Sequence, residues 1–189
     1  MEQIITETRP SVSVHNVTLA ALGFLALSLF LAFPWIYWVQ GRDLGALLIG
    51  NRPWRDLLLG AGAGMIFALL ARIAFGRIPS LRRDLRTLQS ALAFEHLSPL
   101  RKGVIALSAG VGEEILFRGA LQYHLGLGLT SLLFGCMHPL SLAYVIYATI
   151  AGLLLGGLAL STQALMAPIV CHVTIDALLL WSLDGTGGQ

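Results

Sequence analysis

The sequence predicts an all-α fold, a polytopic transmembrane bundle of about six membrane helices including one short one. Three observations carry this. The 189-residue chain is 56% hydrophobic and 12% charged, where a soluble globular domain is about 25% charged. Its mean hydropathy is +0.78. No polar stretch is long enough for a separate soluble domain, so one membrane domain with short loops accounts for the length. We expect a tail over 1–16 in the cytoplasm, a single integral membrane domain over 17–183, and a tail over 184–189. A net charge of +2 argues against a nucleic-acid partner, and the lipid bilayer is the expected surrounding.

The first span covers 17–39, "VTLAALGFLALSLFLAFPWIYWV". It reads as a retained anchor rather than a signal peptide. Glu2 and Glu7 outweigh Arg9 before it, the apolar run is too long, and no A-x-A site follows. Trp35, Tyr37 and Trp38, with Trp54 beyond, read as an interfacial aromatic belt. The second span covers 57–75, where Gly60 and Gly64 have the spacing of close helix packing. A phosphate-binding loop is excluded there, because no strand precedes and no Lys-Ser/Thr follows.

Residues 76–102 are the main polar loop. Arg77, Arg82, Arg83, Arg86, Arg101 and Lys102 are half of the chain's Lys and Arg, which places this loop in the cytoplasm by the positive-inside rule. Leu81, Leu85, Leu88 and Leu92 recur at helical spacing among the arginines. This pattern fits a basic amphipathic helix on the inner leaflet and equally a solvated connector. The third span covers 103–124, a short helix covers 127–138 before Pro139, and two further spans cover 140–160 and 163–183. Gly152 and Gly156 repeat the small-xxx-small spacing. Counting spans puts both termini inside, at odds with Arg42, Arg52 and Arg55, which then fall outside. Cys136 and Cys171 lack CxxC spacing and read as small buried residues.

"GVGEEILFRGAL" in the third span poses the functional question, because burying charge in lipid is costly. Glu113 falls about 15 Å below the start of the span at about 1.5 Å per residue, near the midplane of a core about 30 Å thick. Glu114 and Arg118 are four apart, on one helix face, in the favoured order for a pair. Glu113 points about 100° away. A structural pair needs one glutamate, so the second is the informative one. His138 ends the short helix. His172 lies at similar depth in the last span, with Asp176 one turn later on the same face. Ionisable groups at this depth point to a shared polar site.

"EEILFR" (113–118), "FGCMH" (134–138) and "HVTID" (172–176) resemble the EExxxR, FxxxH and HxxxN/D motifs of the CPBP family, which includes the CAAX prenyl proteases and the bacteriocin-processing or ABI proteins. The resemblance spans about 103–180, and the expected protease core is 103–183. It implies an intramembrane endopeptidase. Glu113 and His138 would hold and activate a water. His172, supported by Asp176, would stabilise the oxyanion. Glu114, Arg118 and Phe134 would be structural support. An ionised Asp176 cannot donate a hydrogen bond as an Asn can, so it is either protonated or orients His172.

Three alternatives stay open. Zinc on Glu113, His138 and His172 would give a metal-dependent version of the same peptidase. No HExxH helix is present, and the resemblance favours a metal-free mechanism with no cofactor. A non-enzymatic immunity or scaffold protein would use the polar cluster as glue. A transporter would need an inverted repeat, which is not visible. The expected partner is a membrane-associated peptide or protein: a prenylated CAAX protein, a bacteriocin leader, or the anchor of a sorted surface protein. The compact chain suggests a prokaryotic cytoplasmic (inner) membrane.

Overall fold

The computed structural model describes residues 14–91 and 97–182. Among them every regular element is helical. Helix α1, Val14–Pro34, runs on as a π turn over Trp35–Val39; short α2, Leu44–Ile49, follows; α3 is Pro53–Arg77 and α4 Pro79–Ala91. Helix α5, Pro99–Glu114, continues as a π segment over Ile115–Leu121; then come α6, Gln122–Cys136, α7, Leu142–Thr162, and α8, Met166–Ser182. His15–Val39, Pro53–Arg77 and Leu142–Thr162 are long and apolar enough to cross a bilayer, and Met166–Trp181 is a shorter apolar helix. The chain is an integral membrane protein. The expected tails fall outside the described residues, save for residues 14–16, which already belong to α1.

Local chemistry sets these boundaries. Pro53 and Pro99 open their helices at a position where a missing N–H costs nothing. Asp43 caps α2 by accepting from the Ala46 amide at 2.6 Å, and Ser141 caps α7 by accepting from Tyr144 at 3.2 Å. Gly126 has φ 72°, a value glycine adopts without penalty. It makes a kink inside α6 just before the short helix expected over 127–138. Leu27, Phe30, Leu58 and Ile66 face outward, as lipid-facing positions do. Trp38 and Trp54 are 76% and 78% exposed, consistent with the aromatic belt.

Both glycine pairs lie at close contacts. A Cβ at Gly60 would strike the Ala167 carbonyl, and one at Gly64 the Cys171 carbonyl, so α3 lies backbone-to-backbone on α8. Gly152 fits against Ser131 of α6, and Gly156 against Gln122. The π segment answers a different need. Widening the helix loosens its carbonyls, and two are taken up from outside: Gln40 Nε2 donates to Ala120 O at 2.8 Å and Arg42 Nη1 to Gly119 O at 3.4 Å. This gives Arg42 a structural task.

Helix α4 is amphipathic, but its leucine face meets protein. Leu81 is buried and Leu85 partly so, against Phe75 of α3 and Tyr144 and Tyr147 of α7. Those aromatics offer a surface that the leaflet would otherwise have supplied. Leu92 lies outside the described residues.

Candidate active site

Helices α5 and α8 bring the polar residues together. At Gly110 a side chain would run into the Val173 backbone, so the two helices approach one turn before the glutamates. That approach sets His172 beside Glu113 and Glu114. One oxygen organises the result. Glu114 Oε1 accepts from Arg118 Nη1 at 2.8 Å and from His172 Nδ1 at 2.7 Å. Glu114 and Arg118 have fully buried side chains. Arg118 Nη2 reaches the Gly152 carbonyl of α7 at 3.3 Å, and its guanidinium carbon lies 4.4 Å from the Phe134 ring centroid, a cation–π contact. The pair expected from i,i+4 spacing is formed. The same carboxylate also holds a candidate catalytic ring, that of His172.

This hydrogen bond fixes the chemistry of His172. A carboxylate only accepts, so Nδ1 carries the proton and Nε2 is presented to the site. There Nε2 stands 3.6 Å from Asp176 Oδ2 and 4.0 Å from Glu113 Oε2. Glu113 Oε2 is buried without a hydrogen-bond partner among the described residues. The 4.0 Å separation is longer than a direct hydrogen bond.

His138 is oriented in a similar way. Its Nδ1 donates to the Phe134 carbonyl at 2.8 Å, which leaves Nε2 as the reactive nitrogen of the neutral ring. Its ring lies 4.9 Å from that of Phe134, and it is close enough to interact electrostatically with Glu113 and Asp176. Phe134 therefore serves twice, by its carbonyl to His138 and by its ring to Arg118. His138, His172 and Asp176 line a cavity of about 80 Å³ with Phe134, Tyr144 and Tyr147. Glu113 is not on that wall; its Oε2 lies 4.0 Å from His172 Nε2. Cys171 is buried and Cys136 exposed, so the expectation of burial holds for the first alone. Neither lines the cavity.

Among the described residues, no group of three or more His, Cys, Asp or Glu side chains is gathered as a metal site. Tyr144 and Tyr147 were not anticipated from the sequence. They are aromatics one turn apart at the start of a long apolar helix, a pattern that ordinary packing also produces.

Comparisons with known proteins give the relatives of this stretch. The family model described as type II CAAX prenyl endopeptidase Rce1-like matches residues 97–178. An uncharacterized Bacillus subtilis (strain 168) protein, YpbD, is 38% identical over 76 residues. That match covers 39% of this chain and 40% of the relative, so the chain spans well under half of the curated protein it matches. No solved structure matches. Glu113, His138, His172 and Asp176 all fall within 97–178, the stretch where the domain model of the Rce1-like type II CAAX prenyl endopeptidases of the CPBP family is found.

Proposed function

We propose that the protein is an intramembrane endopeptidase that cleaves a membrane-associated peptide with a glutamate-activated water. The observation that carries this is the division of labour between adjacent carboxylates. Glu114 is spent on Arg118 and His172, while Glu113 keeps a buried oxygen unpaired beside His172 Nε2. Glu113, with His138 Nε2 as second acceptor, takes a proton from water as that water attacks the scissile carbonyl. The carbonyl becomes an oxyanion, and His172 Nε2, when protonated, donates to it. The intermediate then collapses, the C–N bond breaks, and the proton held by Glu113 passes to the leaving amine. Phe134, Glu114 and Arg118 hold the rings in place.

The substrate class rests on the family: a prenylated C-terminal peptide, a peptide leader, or the tail of a surface protein. The test is cleavage of one peptide of each class by the full chain in lipid vesicles. Asp176 supplies a discriminating variant. At 3.6 Å from His172 Nε2 it either charges the ring or acts as a donor itself. An amide retains the donor role, so Asp176→Asn is expected to keep the rate within about tenfold and Asp176→Ala to lose at least about 10². Equal loss in both would assign Asp176 to charging the ring. The relative from Bacillus subtilis supports a prokaryotic cytoplasmic membrane as the location.

Chelation addresses zinc. A metal-free mechanism predicts an unchanged rate after dialysis against a strong chelator. Loss of activity restored by zinc would move the water onto a metal held by Glu113, His138 and His172.

A further inference from the structure

We propose that α4 is a movable cover of the catalytic cavity, and that an anionic lipid leaflet draws it open by its arginine face. The importance of opening rests on the peptidase reading; the movement itself does not. The cavity of about 80 Å³ holds a few waters at about 30 Å³ each. Pockets for larger ligands run from about 300 Å³ upward, so a wall that moved back would give a peptide more space.

The walls differ in how they are held. Phe134, His138 and His172 are tied by hydrogen bonds within the bundle or by the Arg118 contact. The Tyr144–Tyr147 wall is backed by α4, through Leu81 and Leu85. A polar latch accompanies those leucines: Ser141 Oγ donates to Asp84 Oδ2. Ser141 is also the cap of α7 and lies three residues after His138, so the latch bears on the segment that carries a candidate catalytic ring.

The outer face of α4 points to the partner. Arg82, Arg83 and Arg86 are exposed, while Asp84 is buried on the inner side. The helix begins two residues after α3, a candidate span, ends. Its leucines have two places to be buried, the aromatic wall or a leaflet. Leucines flanked by arginines suit an anionic leaflet. A surface that attracts one of two states shifts the population toward it.

The full chain in phosphatidylcholine vesicles, with and without phosphatidylglycerol, tests this by amide hydrogen exchange. We expect phosphatidylglycerol to speed exchange over residues 139–147 at least about threefold. The surface variant Arg82→Gln/Arg83→Gln/Arg86→Gln is expected to abolish that response. Asp84→Ala, which removes the latch, is expected to speed exchange in phosphatidylcholine alone. Exchange indifferent to lipid charge, or an unchanged response in the triple variant, overturns the proposal. Cleavage is scored separately. A lipid-responsive cover on a chain that cuts nothing would sink the peptidase reading alone, and cleavage with an unresponsive α4 would sink this one alone.

Discussion

Glu113→Gln is expected to yield a protein that folds and inserts normally and cleaves at least about 10²-fold more slowly, the lower end for losing a general base. The amide keeps the size and shape of the carboxylate but cannot take a proton from water. Folding should be spared because the oxygen concerned has no hydrogen-bond partner among the described residues. The measurement is kcat/KM on reconstituted protein beside a thermal unfolding curve. Retention of the wild-type rate would exclude Glu113 as base. Retention of a full cellular phenotype by Glu113→Gln would favour the immunity or scaffold role.

Arg118→Ala is expected to do the reverse of sparing the fold. Both members of the pair are fully buried, and removing one partner strands the other charge, at a cost of about 3–5 kcal/mol. Against a total stability of about 5–15 kcal/mol that is a large share. The variant also releases the Gly152 carbonyl and the Phe134 ring. We expect less folded protein in the membrane, a lower unfolding temperature, and activity that falls with both. A fully stable yet inactive Arg118→Ala protein would mean that the guanidinium acts on substrate instead.

The fold and the site were legible in the sequence to different depths. Spans are written in runs of apolar residues, because a bilayer demands length and hydrophobicity locally. The Glu114–Arg118 pair was legible because helical geometry converts a spacing of four into contact. The bond from Glu114 to His172 was not, since it joins residues 58 apart in sequence and depends on how α5 meets α8. The π segment was equally hidden. Nothing in "ILFRGAL" forbids an α-helix, and the wider turn goes with donors from Gln40 and Arg42, far away in the chain. Helix α4 shows a third kind of limit. Its period announces one apolar face, but the period cannot say whether lipid or protein covers it.

The double duty of Glu114 Oε1 bears on how relatives of this chain should be interpreted. An oxygen that ties α5 to α8 and anchors the α7 contact of Arg118 is under selection for foldedness, whatever the protein does. A descendant that had abandoned hydrolysis would still suffer from losing Glu114, Arg118 or His172. Persistence of those three letters is therefore compatible with a pseudoenzyme. Among the described residues Glu113 Oε2 has no hydrogen-bond partner, so the presence or absence of Glu113 in such a descendant is the more telling letter.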